Sequence, residues 1–310
     1  MTDYLVKRLL HFFILGWIAA SLVFFLIHLL PGDPIDGMLG VRGSGRDIQR
    51  VREELGLNRP LVLQYADFIV RLPRLDLGRS IVHRRKVTEL IAAYFPNTLV
   101  LSLASLLVSL ILSVPLGLWA AIRRGSPLDT GVVLAASLGQ AIPNYFLGPL
   151  LVLLFSILLG WLPVSGSGDA VHLVLPALTL GWSMSALQLR IVRTAVLEEL
   201  EKPYVLLALA KGVPPGRLLR RHVLRNALIP ILTTAGLQLG ALLTGTVITE
   251  TVFSWQGIGR LLVTAVRGRD YPLVQGLVLC MTFVFLIVHL VVDLVQAAIS
   301  PRIRFEIRKR

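Results

Sequence analysis

The sequence predicts an all-α polytopic membrane protein with about six transmembrane helices and both termini in the cytoplasm, on three observations. Its 310 residues are 55% hydrophobic, with a mean hydropathy of +0.75, too apolar for a chain that must cover itself with polar residues in water. Apolar runs recur at the length of about 20 residues that a helix needs to cross a hydrocarbon core of roughly 30 Å. Lys and Arg gather in the gaps between these runs, mostly on one side.

The first run, from about Leu9 to Leu30, follows Lys7 and Arg8. A basic start before an apolar core also describes a secretory signal. This run is longer than such a core and no small-x-small cleavage pattern follows, so it is expected to be a retained first span. Leu30-Pro-Gly-Asp-Pro34 ends it, because two prolines and a glycine stop a helix. Residues 31–95 then form an extracytoplasmic insertion. Asp47 to Leu55 carries mixed charge, and Leu61, Tyr65, Phe68, Ile69 and Leu72 fall at near-helical spacing, so short surface helices are expected there.

The second run, about Thr98 to Ile122, is closed by Arg123-Arg124-Gly125. The third covers about Val132 to Leu159 and is interrupted by Pro143 and Pro149. The fourth, about Leu173 to Leu189, is short and runs directly into Arg190 and Arg193. The fifth occupies about Ala227 to Thr249 and the sixth about Leu273 to Ile299. Residues 1–30 are thus the N-terminus and first span, 96–299 a core of five spans, and 300–310 a basic tail.

Orientation follows from the short loops. The N-terminus, the Arg123-Arg124 turn, the segment from Arg190 to Arg225 and the tail from Arg302 all fall on one side, which is assigned to the cytoplasm. The turn from Gly160 to Val171 has no Lys or Arg and fits the outer side. The loop carrying Arg260, Arg267 and Arg269 dissents. The insertion is also rich in Arg, but loops of about 60 residues or more translocate with little regard to charge. Topology therefore accounts for the net charge of +13 without nucleic acid as a partner. Cys280 is the only cysteine, which excludes an internal disulfide and any multi-cysteine metal site.

The most informative piece is the cytoplasmic segment 198–226. It reads as a short helix begun near Lys202-Pro203 and ended by Gly212, with Pro214-Pro215 following, a start and a stop in the expected order. Around it lie Tyr204 with Ala208-x-Ala210-Lys211-Gly212, and Arg221-His222-x-Leu224-Arg225-Asn226-Ala227-Leu228-x-Pro230. Further on come Glu250-Thr-Val-Phe-Ser-Trp-x-Gly257-Ile-Gly259 and Arg269-Asp-Tyr-Pro-Leu-Val-Gln-Gly276, and before it Asp76-Leu-Gly-Arg-Ser80. With Leu30-Pro-Gly-Asp-Pro34, Leu55-Gly-Leu57, Asp293 and Pro301-Arg-Ile-Arg304, these blocks resemble the inner-membrane permeases of ABC importers, in particular the dipeptide, oligopeptide and nickel branch. The resemblance covers nearly the whole chain.

That resemblance implies a type I importer permease fold in the bacterial cytoplasmic membrane. It also implies a coupling helix from Tyr204 to about Pro215 that docks in a groove of a separate ATPase subunit. Tyr204, Leu207, Ala208, Ala210, Lys211, Gly212, Val213 and Pro214 would make that contact. The implied partners are a second homologous permease, two ATPase subunits or domains that bind ATP and Mg, and an extracytoplasmic solute-binding protein. Importers in general open this loop with Glu-Ala-Ala and close it with Leu-Pro; Leu206-Leu207-Ala208 and Leu224-Arg225 stand there instead, as the peptide branch permits.

No Gly-rich loop ending in Gly-Lys-Ser/Thr is present, so energy from ATP must enter through another subunit. His-Glu-x-x-His and Gly-x-Ser-x-Gly are also absent, so the expectation is a transport subunit with no cofactor of its own, not an enzyme. For the solute pathway the candidates are Gln140, Pro143 and Asn144 at the break in the third span, and Gln238 and Gly240 on the fifth, whose Gly236, Gly240 and Gly245 form a thin face. Glu250 is expected to be an interfacial residue capped by a nearby Arg. His289 and Asp293, four apart on the sixth span, can share a face. They underlie the competing reading, an ATP-independent secondary transporter or channel with that pair as its ion-coupling site. Such a protein would not need the coupling block, and the two halves of the chain show no evident inverted repeat.

Overall fold

A computed structural model describes residues 2–29 and 59–299. The expected helix at Asp47–Leu55, the Leu30–Pro34 stop, the Leu55-Gly-Leu57 block and the basic tail lie outside the described residues. Helix α1 (Thr2–Leu29) is the first span, and α2 (Leu61–Arg71) is the surface helix that the apolar spacing predicts. α2 packs back on α1: Phe68 stacks on Phe24, and the hydroxyls of Ser21 and Tyr65 lie 2.7 Å apart.

Helix α3 (Val87–Ile122) is longer than its apolar run. At 36 residues it spans about 54 Å, well over the thickness of a bilayer core. Its extra outer turns are held because Val87 and Leu90 are buried in a cluster with Ile258, Leu261, Leu273 and Leu277. Toward the other end, Ser105, Ser109, Ser113, Gly117 and Ala121 recur every four residues and are all buried. This small-residue seam lies against α6 (Ala170–Leu200). A Cβ on Gly117 would lie 2.8 Å from the Leu189 carbonyl oxygen, and one on Gly181 of α6 would lie 2.6 Å from Val108 Cγ1. Lipid gives helices no hydrophobic reason to associate, so close backbone approach along such a seam is what holds α3 to α6.

The third run becomes two arms, α4 (Pro127–Ala141) and α5 (Asn144–Leu151), bent by 98°. Pro143 is the residue on which α5 starts, and a π turn, Val152–Leu158, continues past Pro149. The fourth span corrects the sequence expectation. α6 does not stop at Leu189 but continues to Leu200, because the arginines beyond it are partnered: Arg193 makes two 2.7 Å bonds to the Asp129 carboxylate, and Arg190 donates to Gln140 Oε1. A bidentate arginine–carboxylate pair is among the stronger ionic contacts a helix boundary can use.

After the short α7 (Pro203–Ala210), the helix that carries the fifth apolar run begins earlier than Ala227. α8 (Pro215–Leu218) passes through a π turn, Leu219–Val223, into α9 (Leu224–Gly245). α10 (Val247–Val252) and α11 (Ile258–Arg267) form the outer connection, and α12 (Tyr271–Ile299) is the last span. Gly236 lets α9 and α12 touch, since a Cβ there would lie 2.4 Å from Val292 Cγ2. Arg8 on α1 pairs with Asp293 on α12 at 2.8 Å. Among the described residues, five helices are long and apolar enough to cross a bilayer, and the bent α4–α5 pair, taken as one span, makes six.

Candidate functional site: the cytoplasmic coupling element

Helix α7 packs against the end of α6 and the start of α9, and its sequence explains both of its ends. Pro203 occupies the first turn, where its missing N–H costs nothing. At the far end the Gly212 amide donates to the Leu209 carbonyl at 2.9 Å and the Val213 amide to the Ala208 carbonyl at 3.1 Å. This paired closure requires a left-handed residue between the two, and Gly212 has φ +74°. Val213 and Ala208 complete it by packing on the same inner cluster.

That cluster fixes which way α7 faces. Val205 is buried among Val192, Val196, Leu218, Val223 and Ala227, with Tyr204, Ala208 and Val213 packed against them. The Tyr204 hydroxyl donates to Glu199 Oε2 at 2.7 Å and accepts from Asn226 Nδ2 at 3.2 Å, so one phenol ties α7 to the end of α6 and the start of α9. Burial first, then the Glu199 carboxylate, pushes the phenol pKa above its ordinary value, which keeps it a donor. Glu199 also receives Lys202, and Arg124 reaches Glu201 at 2.5 Å, fastening the Arg123-Arg124-Gly125 turn to the same place.

The opposite face of α7 is apolar and open. Leu206 is 66% exposed, Leu207 58% and Leu209 46%, with Ala210, Lys211, Gly212 and Pro214 also exposed. Of the coupling residues named from the sequence, then, Leu207, Ala210, Lys211, Gly212 and Pro214 lie on the open side. Tyr204, Ala208 and Val213 face inward and hold the element in place. Leu206, Leu209, Glu199 and Asn226 carried no role in the sequence reading. Glu199 and Asn226 could not be found from spacing, since their meeting at Tyr204 requires three helices to converge.

The pathway candidates divide similarly. Gln140 and Pro143 are exposed at the α4–α5 bend, and Asn144 is partly buried beside them with its Oδ1 unpaired. Gln238 and Gly240 are not on an open face: Gln238 donates to the Met184 carbonyl at 3.2 Å, and Gly240 is packed against Val288 and His289. His289 hydrogen-bonds the Phe285 carbonyl on its own helix, while Asp293 is engaged by Arg8, so they are anchored separately.

On the outer side two carboxylates are fully buried. Glu250 was expected at an interface under an Arg side chain; instead it accepts from Thr98 Oγ1 at 2.7 Å, Thr246 Oγ1 at 2.9 Å and the Arg260 backbone amide at 2.9 Å, capping the start of α11. The Arg260 guanidinium goes to the Ser254 carbonyl. Asp270 accepts from Ser80 Oγ and from the amides of Ile81, Val82 and Leu273. Two sequence blocks that are 190 residues apart, Asp76–Ser80 and Arg269–Gly276, thereby form one structure.

Comparison with known proteins agrees with this architecture. Residues 113–305 match the family described as binding-protein-dependent transport system inner membrane component, and residues 1–103 match the N-terminal region of such membrane components. The glutathione transport system permease protein GsiC of Pectobacterium atrosepticum is 41% identical over 307 residues, covering 99% of this chain and all of that protein. GsiC of Escherichia coli K12 is 40% identical over 306 residues with the same coverage. Among solved structures, an inward-facing MetNI methionine ABC transporter aligns over 69% of this chain and 97% of its own, with a TM-score of 0.55 at 18% identity. An amino acid ABC transporter aligns over 69% and 94%, with a TM-score of 0.50 at 16% identity. At those identities the structural likeness speaks to the fold alone.

Proposed function

The chain belongs to the family of binding-protein-dependent transport system inner membrane components, and from that premise we propose that α7 with the Gly212–Gly216 turn is the docking element through which ATP hydrolysis on another subunit moves the membrane helices. The protein is a permease subunit of an ATP-driven ABC importer in the bacterial inner membrane, a transport component and not an enzyme. It works with ATPase and solute-binding components.

The observation that carries the docking role is the contrast between the two faces of α7. One is locked by Val205 and by the hydroxyl of Tyr204; the other leaves Leu206, Leu207 and Leu209 in the open. Leucines on a short helix held below the membrane core suit a groove on another protein, read as anchors at neighbouring helical positions. Because Tyr204 joins α6 to α9, a push on α7 is delivered to two spans together. In this reading two permeases, alike or different, share the pathway. Two ATPase subunits hold ATP and Mg, their closure drags the paired coupling helices, and hydrolysis resets them. The bent α4–α5 pair, with Gln140, Pro143 and Asn144, lines the pathway. The solute is a peptide, a nickel-chelate or a glutathione-like molecule, and the words "glutathione transport system" in the GsiC relatives' name support the last.

The test is the double substitution Leu206→Asp, Leu207→Asp, which leaves the buried face untouched. We expect normal membrane insertion and loss of the ATPase subunit on mild-detergent purification. Retention of a fully stimulated ATPase by this variant would refute the docking role.

A further inference from the structure

The outer surface carries a concentration of positive charge. The turn that follows Asp76-Leu-Gly-Arg exposes Arg79, His83, Arg84, Arg85 and Lys86 within eight residues, and the α11–α12 junction exposes Arg267 and Arg269. These are the charges that run against the positive-inside pattern. They are also one patch: Asp270 binds Ser80, Ile81 and Val82 of the turn, and a Cβ on Gly268 would lie 3.3 Å from Val82 Cγ2.

The patch is preorganised and electrically unspent. The turn closes on itself through the Ser80 amide to the Arg85 carbonyl and the Arg84 amide to the Ser80 carbonyl, with Arg79 bridged to Lys86. Arg85 pairs with Glu89 at 3.6 Å. Among the described residues, Arg79, Arg84, Lys86, Arg267 and Arg269 have no ion pair. A buried carboxylate thus anchors a turn whose own cations are exposed and do not pair with it.

We propose that this patch is the docking surface for a carboxylate-rich face of the extracytoplasmic solute-binding protein. The proposal rests on the importer reading and names the chemistry of one of its contacts. Lipid headgroups are a poorer fit. α3 begins at Val87, whereas its apolar run begins near Thr98, which sets the turn about 16 Å along the helix axis beyond the apolar stretch, more than a headgroup layer of roughly 5–8 Å. A free anionic solute is also a poorer fit, because the cations are exposed side chains spread over a turn and a helix junction, whereas a small ligand is held in a concave site. Fixed charges on an exposed element steer a soluble partner and set its register more than they add to final affinity.

The experiment uses the permease–ATPase complex in nanodiscs and the purified solute-binding protein of the same system, with and without solute. Binding is measured at about 50 and about 500 mM salt, a range across which surface charges become largely screened. For the wild-type protein we expect affinity to fall on the order of tenfold across that range. The variant Arg79→Gln, Arg84→Gln, Arg267→Gln should be on the order of tenfold weaker at low salt, with most of the salt dependence gone. Its basal hydrolysis should be unchanged, which shows that it folds and assembles. Wild-type affinity and salt slope in the variant would overturn the proposal. So would a loss of binding that follows removal of anionic lipid from the nanodisc, which would assign the patch to the membrane. If the wild-type complex retains its ATPase but binds no such protein at either salt, the delivery step of the importer reading falls, and the proposal falls with it.

Discussion

Replacing Tyr204 by Phe removes one oxygen atom and should uncouple the permease without unfolding it. The ring stays packed against Val205's neighbours in the inner cluster. What is lost is one bond to a carboxylate at 2.7 Å and one from an amide at 3.2 Å. A bond to a charged group contributes about 1.5–3 kcal/mol and a neutral one about 0.5–1.5. Lys202 still satisfies Glu199, and water reaches Asn226, so the net loss should sit near the low end, roughly 1–2 kcal/mol. If that energy holds α7 in register with α6 and α9, the aligned population falls by a factor of about 5 to 30. The assay is the ratio of solute-stimulated to basal ATP hydrolysis in reconstituted complexes, with subunit stoichiometry as the control. A several-fold fall in the ratio at unchanged stoichiometry is expected. An unchanged ratio would refute the idea that the hydroxyl transmits the motion.

Other positions give sharper structural tests. Gly212→Ala meets no neighbour within 4 Å, so its cost is that of a left-handed alanine, about 1–2 kcal/mol; thermal unfolding should show it, and Gly212→Asn should recover much of the loss. Gly257→Ala would place a Cβ 2.3 Å from Glu250 Oε1, so the outer connection should fail to assemble and membrane yield should collapse. Asp293→Asn breaks a partly exposed pair with Arg8, so stability should change by less than about 1 kcal/mol, and uptake should stay indifferent to a proton gradient.

The sequence disclosed those features whose cause is local. Pro203 and Gly212 bound α7 because one tolerates a missing donor and the other a left-handed φ, and both facts are written in residue type. Pro143 marks the bend for the same reason, although its angle of 98° is set by packing. Features with a distant cause stayed hidden. The fourth apolar run ends on paper at Leu189, since a hydropathy window cannot see that Asp129, 64 residues away, neutralises Arg193. Glu250 looked like an interfacial residue because its donors, Thr98 and the Arg260 amide, belong to other elements. Gly257 and Gly259 were a usable signal: both leave room for that carboxylate. The Ser105–Ser109–Ser113–Gly117 spacing on α3 was also legible as a tight seam, masked by the high hydropathy of the helix around it.

Placement also decides between the two transport mechanisms weighed from sequence. The His289–Asp293 relay needs two groups free to exchange a proton, yet one is bonded to its own backbone and the other to Arg8. The inner surface, by contrast, holds an element with one face locked and the other open.

The central claim is tested most directly by asking what touches that open face in a working membrane. With Cys280, the chain's only cysteine, replaced by Ala, a Leu207→Cys variant presents a single thiol there. A thiol-reactive photocrosslinker is then attached in membranes that transport solute. The account predicts a crosslink to the ATPase subunit, altered in yield when ATP is trapped. Crosslinks to lipid alone, in membranes where transport continues, would contradict it.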